Sequence, residues 1–476
     1  MQDKHRGRVA NGILWSAIER FSVQGIQFFL SIVIARLISP SDYGLIAMLS
    51  IFLAVAQQFV DSGFANALVQ KKDRSDVDFS TVFYANLIIA VVAYAALYVA
   101  APWIADFYSE PKLIAVTRWV GLTVVLMAFS IVQRAKLTIE LDFKKQAQIS
   151  LVSVMVSGVC GVWLAWQGYG VWALVVQTLV NNFVNSLLLW VFARWTLRPV
   201  FSWTSFRSLF SFGSKLLVVG VLHVLYNNIY TVIIGKKYSA SDVGFFNRSQ
   251  TLANFPSFNV SSVVCRAIYP EQCNLQSDLD RLVDSFLRYQ RLLAYLVFPV
   301  MAMMAVLSAP LIEFVLSERW LPAAELLPIL CMGYVWTPVW ATCWQIINTQ
   351  GRSDLSLKVE LICKIISLAV LVATIPFGLQ PICYGLALSC LVDIIVIIPY
   401  VKQLVGVGYR GIVKNLRSAA MMASISAGVA CLSVQGFSSP CPKVIVGVGA
   451  GLVSYVLLGV IFKIEEFRIL LRYCRR

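Results

Sequence analysis

Fourteen long apolar runs follow one another along the chain, separated by short polar stretches. They fall near 13–36, 44–66, 79–103, 113–133, 147–167, 170–193, 208–235, 244–268, 286–307, 324–348, 356–377, 380–401, 413–434 and 443–462. An α-helix crosses a hydrocarbon core of roughly 30 Å with about 20 residues, so each run is long enough to span a bilayer. Of the 476 residues 59% are hydrophobic and only 13% charged, where a water-soluble chain carries about 25%. The pattern predicts an all-α polytopic membrane protein of about 14 transmembrane helices. The first run is too long for a cleaved signal peptide, and Glu19 and Arg20 interrupt it.

A short phrase occurs twice, each time after an apolar run: Ser39-Pro-Ser-Asp-Tyr-Gly44 and Ser239-Ala-Ser-Asp-Val-Gly244. The residues before it also align, Val33-Ile-Ala-Arg36 against Ile233-Ile-Gly-Lys236. Each copy reads locally as a helix start. Ser39 or Ser239 caps it, Pro40 suits the first turn, and Asp42 or Asp242 completes a capping box. At the level of architecture an internal repeat predicts two similar bundles, as in transporters. Six spans precede the basic connector Arg194-Trp-Thr-Leu-Arg-Pro199 and six follow it. Six is even, so both halves enter the membrane alike, related by a pseudo-two-fold axis along its normal. The expected organisation is a first six-helix bundle over 1–193 and a connector over 194–207. A second six-helix bundle follows over 208–401, then two extra helices and a basic tail over 402–476. Prolines 256, 299, 328, 338, 376 and 399 fall within the later spans and predict more bends there.

The net charge of +15 raises the question of a nucleic-acid partner, and its distribution answers it. With the N-terminus inside, and charges at the span ends counted with the adjoining loops, 27 Lys and Arg fall on the cytoplasmic side and six on the other. That asymmetry is the positive-inside rule, and it places both termini in the cytoplasm. No nucleic acid is expected. No loop exceeds about 20 residues, which leaves no room for a soluble catalytic domain, and no GxxxxGK[ST] sequence is present. His5 and His223 are the only histidines, and the cysteines show no metal-ligand spacing, so no metal and no cofactor are expected.

Polar residues inside a bilayer are costly and usually face a cavity or a partner. The first span carries Ser16, Arg20, Gln24, Gln27 and Ser31 on one face, with Glu19 beside Arg20. The seventh, its counterpart in the repeat, carries Lys215, His223, Asn227 and Tyr230. Both helices would line a cleft. Asp61 lies near the cytoplasmic end of the second span, and Arg118 lies in the fourth. The sixth has the row Gln177, Asn181 and Asn185; the eighth has Asn247, Arg248 and Asn254; the tenth has Gln345. Amides donate and accept, which suits sugar hydroxyls, and Arg and Lys suit a phosphate or diphosphate. The competing reading is internal: Glu19 neutralises Arg20, Glu360 pairs with Lys364, Asp61 pairs with Lys71 or Lys72, and the amides bond helix to helix. Arg118 and Arg248 lie nearer the outer side, where their side chains could snorkel. Glu19, Asp61 and His223 are the candidates for ion coupling.

Four stretches carry a family resemblance: Ile34-Ala-Arg-Leu-Ile-Ser-Pro-Ser-Asp-Tyr-Gly44, Asp61-Ser-Gly-Phe-Ala-Asn-Ala-Leu-Val-Gln70, Ser241-Asp-Val-Gly-Phe-Phe-Asn-Arg-Ser249 and Asn348-Thr-Gln-Gly-Arg-Ser-Asp354. The chain resembles Wzx-type polysaccharide exporters of the multidrug/oligosaccharidyl-lipid/polysaccharide exporter superfamily, near the colanic acid and teichuronic acid branch. The resemblance implies a flippase, not an enzyme. It would move an undecaprenyl-diphosphate-linked oligosaccharide across the bacterial inner membrane by alternating access, for lipopolysaccharide or exopolysaccharide synthesis. Carried onto this chain, it assigns the diphosphate to Arg20, Lys215 and Arg248, with Arg118 a further candidate. The sugars would meet Gln24, Gln27, Gln177, Asn181, Asn185, Asn227, Asn247, Asn254 and Gln345. Membrane lipids, a polysaccharide polymerase and a chain-length regulator are the expected partners. A multidrug antiporter and a peptidoglycan-precursor flippase share the superfamily. The first would want a more acidic or aromatic pocket; the second is hard to separate by sequence. A membrane-embedded polysaccharide polymerase is the distant alternative, and it would be expected to have a large external loop.

Overall fold

The computed structural model describes residues 22–61, 63–71, 73–193 and 195–462, and only the backbone of residues 66, 211, 212, 215 and 216. Regular structure among the described residues is helical throughout. The chain forms two compact units, Met1–Gly244 and Phe245–Arg476. Twelve stretches of the described residues are long and apolar enough to cross a membrane. The shorter apolar helix Ser22–Leu37 and the more polar Ala240–Asn274 stand where the first and eighth spans were expected.

The first unit contains α1 (Ser22–Leu37), α2 (Pro40–Asp61), the short α3 (Phe64–Gln70), α4 (Asp76–Tyr108), α5 (Lys112–Ile139), α6 (Phe143–Trp166), α7 (Val171–Ala193) and α8 (Trp203–Lys237). In a bilayer, helices gain little from leaving lipid for one another, so packing and interhelical hydrogen bonds must join them. Small residues allow the close approach: Gly158 of α6 meets Leu30 of α1, and Gly161 meets Gln177 of α7. Ser50 of α2 donates to the Asn228 side chain of α8 at 3.0 Å, a bond worth roughly 0.6 and at most about 1.7 kcal/mol in this setting. The connector is tied down where α4 begins. Arg198 pairs with Asp76 at 2.9 Å, and the Ser202 amide donates to Thr81 Oγ1 at 3.0 Å. Ser202 in turn caps α8. The rings of Phe64, Phe83, Trp190, Trp195 and Phe206 fill the space beneath.

Both copies of the repeated phrase start a helix with the expected box. Ser39 and Ser239 each accept from the amide of the aspartate three residues on, at 3.1 Å, and each donates its hydroxyl to that carboxylate. The second copy opens α9 (Ala240–Asn274). Its first turn crosses α2 within the first unit. A Cβ on Gly44 would fall inside the Ala240 carbonyl, and a Cβ on Gly244 inside the Pro40 carbonyl. Each glycine therefore leaves room for the other copy's second residue.

The second unit continues α9 and adds α10 (Leu279–Val306), the short α11 (Ser308–Val315), α12 (Leu321–Tyr334), α13 (Thr337–Thr349), α14 (Ser353–Thr374), α15 (Leu379–Val405), α16 (Tyr409–Ser433) and α17 (Pro440–Ile461). The expected tenth span is broken at Val335 and Trp336 into α12 and α13. Pro338 causes this, because it has no N–H for the carbonyl of Tyr334, four residues back. That carbonyl accepts from Ser257 Oγ of α9 instead, at 2.6 Å. Pro376 lies in the single 3₁₀ turn, Ile375–Phe377, that follows α14. The last pair of helices packs on α10: Asn415 of α16 donates to the Leu287 carbonyl at 2.9 Å, and Tyr455 of α17 to the Tyr295 carbonyl at 2.8 Å. Only Gly447, Gly451, Tyr455 and Gly459 of α17 are buried, all on one face.

Candidate functional site

A polar cavity of about 540 Å³ opens within the first unit. Five helices reach it with polar side chains: Gln27 from α1, Asp61 from α2, Ser130, Arg134 and Thr138 from α5, Ser150 from α6, and Asn181, Asn182 and Asn185 from α7. Asn181 and Asn185 of α7 lie four residues apart on one face, as the sequence row predicts, and Asn182 stands beside them. The cavity lies at the end of α2, along the last turns of α5 and at the middle of α7, at Asp61, Arg134 and Thr138, and Asn181 and Asn185.

Its chemistry centres on Arg134. The guanidinium donates to Asn185 Oδ1 at 3.2 Å, and Asp61 is close enough to feel its charge. Asn181 donates to Ser157 Oγ at 3.1 Å, and Asn182 to the Thr178 carbonyl at 2.9 Å. These bonds use part of each amide and leave further donor and acceptor positions for a ligand. The site thus combines a planar cation, one carboxylate and four carboxamides.

Four expected site residues are brought together here: Gln27, Asp61, Asn181 and Asn185. Gln24 is half-buried on α1, and Gln177 packs against Gly161 without lining the cavity. Lys71 does not take Asp61 as its partner. It reaches Asp78 at 2.8 Å, where Asp78 is already held by the cap of α4. In the sequence Arg134 stands just past the fourth apolar run, 113–133, and so outside the expected span. It belongs to the site because α5 continues as a helix to Ile139.

The remaining candidates sit elsewhere. Arg118 rests 4.3 Å above the Tyr98 ring, a cation–π contact near the start of α5. Asn227 and His223 are exposed on α8 and hydrogen-bonded to each other at 2.7 Å. In the second unit, Arg248 is only 2% exposed, so it is packed inside rather than snorkelling outward. Its neighbour Ser249 donates to the Ala323 carbonyl at 2.8 Å, tying α9 to α12. Asn247 and Asn254 are half-buried on α9. Gln345 is buried and donates to Gln272 Oε1 at 2.6 Å. Lys364 and Glu360 form the expected pair one turn apart on α14. Glu19 and Arg20, and the side chain of Lys215, lie outside the described residues.

Comparison with known proteins follows the same lines. Residues 33–325 match the family described as polysaccharide biosynthesis protein. The chain is 25% identical to the lipopolysaccharide biosynthesis protein WzxC of Escherichia coli K12, over 74% of this chain and 72% of that one. It is 23% identical to the teichuronic acid biosynthesis protein TuaB of Bacillus subtilis, over 95% of both. Among solved structures, the lipid II flippase MurJ in an inward closed conformation superposes with a TM-score of 0.78. That match covers 96% of this chain and 100% of MurJ at 13% identity, and so speaks to the fold alone.

Proposed function

The chain belongs to the polysaccharide biosynthesis protein family, and on that premise we propose that it is a flippase for a lipid-linked oligosaccharide. Its relatives are named for lipopolysaccharide and teichuronic acid synthesis. The observation that carries the reading is the cavity of the first unit, where one cation stands among four carboxamides. A polyprenyl diphosphate is an anion with sugars attached. Arg134 can take a phosphate in bidentate fashion, which a lysine could not. Gln27, Asn181, Asn182 and Asn185 offer the mixed donors and acceptors that hydroxyl groups need.

The work is physical rather than chemical: the headgroup crosses, and no bond is made or broken. Unaided, the charged glycan headgroup would have to enter hydrocarbon without partners, at a cost of many kcal/mol. The cavity replaces water with fixed polar groups at the start of that path. Asp61, close enough to feel the guanidinium's charge, would compete with the diphosphate for it and so favour release of the headgroup. The positive-inside asymmetry supports a cavity that opens on the cytoplasmic side, with both termini there, and the relatives support the bacterial inner membrane as the site of action. Arg20, three residues before Val23 in sequence, and Lys215 remain candidate partners of the diphosphate, and Arg248 a structural cation. A polymerase and a chain-length regulator would receive the exported unit.

The test is translocation in proteoliposomes. Fluorescent undecaprenyl-diphosphate oligosaccharide should become accessible in the opposite leaflet only when the protein is present, with and without an ion gradient as the variable. No movement of several such lipids, together with efflux of a cationic dye, would turn the assignment to drug antiport.

A further inference from the structure

A second cavity in the first unit differs from the first in every chemical respect. It is a groove of about 730 Å³ between α2, α4 and α8, lined entirely by apolar side chains. Alanines 93, 96 and 100 of α4 line it together with the rings of Phe52, Phe59 and Trp103. Trp103 is 70% exposed, so the groove is open along its flank.

Two observations say what fills it. The first is length. Ala93 and Phe107, both lining residues, are 14 positions apart on α4, about 21 Å at ~1.5 Å per residue. One leaflet supplies only about 15 Å of hydrocarbon, half of a ~30 Å core. A helix tilt of ~20° shortens the groove by little. A phospholipid chain confined to one leaflet leaves the deep end empty, whereas a longer chain fills it. The second observation is charge. Lys236 closes the end of the groove at Phe107. Its ammonium lies 4.7 Å from the Phe107 ring centroid and donates to the Phe107 carbonyl at 2.7 Å. The side chain is exposed, and an ammonium has three donors. Lys237 follows it in the last turn of α8. An anionic headgroup at this end would meet a positioned cation.

We propose that this groove binds the long isoprenoid tail of the lipid carrier, with the carrier's diphosphate at Lys236. The inference rests on the flippase reading and deepens it. By the positive-inside reading Lys236 lies at the outer surface, so the groove holds the carrier after crossing. The polar cavity takes the headgroup before crossing, and the two sites serve opposite ends of the transport cycle.

The experiment uses the full chain in phosphatidylcholine nanodiscs and a diazirine-bearing undecaprenyl diphosphate, with labelled peptides mapped by mass spectrometry. Labelling is expected on the groove segments of α2 and α4. Unlabelled undecaprenyl diphosphate should displace it; farnesyl diphosphate, with the same headgroup and a short tail, should not, nor should dioleoyl phosphatidate. The double substitution Ala96→Phe, Ala100→Phe should remove most of the labelling. Lys236→Gln, which leaves the groove walls untouched, should weaken displacement several-fold and covers the case of a double variant that does not fold. Equal displacement by phosphatidate, or labelling unchanged by Lys236→Gln and by filling, overturns the groove. If the same protein still translocates the oligosaccharide lipid, the flippase reading survives that loss. Groove labelling without any translocation sinks the flippase reading and leaves a tail-binding site.

Discussion

The two units use similar amide-bearing helices to opposite ends. In the first, Gln27, Asn181 and Asn185 face an open cavity beside Arg134. In the second, the amides are spent on one another. Gln345 bonds Gln272, Gln290 bonds Thr342 at 3.3 Å, and Asn415 bonds Gln290 at 3.1 Å, most of them fully buried. Gln250 reaches the Tyr334 hydroxyl at 2.9 Å. The second unit also has to satisfy carbonyls that its prolines release, as Ser257 does for Tyr334. A row of amides on a membrane helix therefore signals a ligand only where it borders space. Where it borders another helix it is an adhesive, at modest strength per bond.

Several substitutions can break or sharpen that contrast. The largest functional effect is expected from Arg134→Ala. Hydrogen bonds to a charged group are worth roughly 1.5–3 kcal/mol, so initial translocation in proteoliposomes should fall about 10- to 100-fold at unchanged abundance. Full activity there would end the assignment of the cavity. Gln345→Leu should do the reverse. It strands the buried Gln272 oxygen at a cost of about 1–3 kcal/mol, seen as a lower melting temperature in detergent. Transport per folded molecule should be unchanged. Asn181→Ala and Asn185→Ala each remove about one neutral hydrogen bond to a sugar. A loss of roughly 2- to 10-fold in translocation at limiting substrate is expected, with melting temperature nearly constant. The smallest effect belongs to Lys364→Ala. Its pair with Glu360 is part-exposed and one turn apart on α14, a geometry worth about 0.5 kcal/mol or less. Both melting and transport should match the parent protein; a transport defect would extend the site into the second unit.

Much of this was legible in the chain. Hydropathy alone placed helices near 147–167, 170–193, 413–434 and 443–462, and the structure has α6, α7, α16 and α17 within a few residues of these. Long apolar runs leave little choice, because an unbonded backbone cannot lie in lipid. The departures have local causes. Pro102 sits where a helix was expected to end, yet α4 runs on to Tyr108, since a proline removes one bond without preventing the next turns. Pro338 was expected to bend its span; that it divides the span into two helices was not legible, because the run around it stays apolar. Arg134 was missed for a related reason: hydropathy marks where apolar residues stop, not where a helix stops. The rows of Asn and Gln were all visible. Which of them border space depends on the neighbours each helix finds, and no single helix encodes that.

The crossing of α2 with the first turn of α9 has a consequence for how such a chain can change. Gly44 admits Ala240, and Gly244 admits Pro40, the same place in each copy of the phrase. This is the reciprocal contact of a symmetric homodimer, residue i on j and j on i, written twice into one polypeptide. In a dimer of identical chains any replacement at that glycine strikes both sides of the contact at once. Here each side can be altered alone, and the copies have already parted at proline against alanine and tyrosine against valine. Covalent linkage thus leaves the two copies of the phrase free to diverge while the position that permits their crossing is glycine in both.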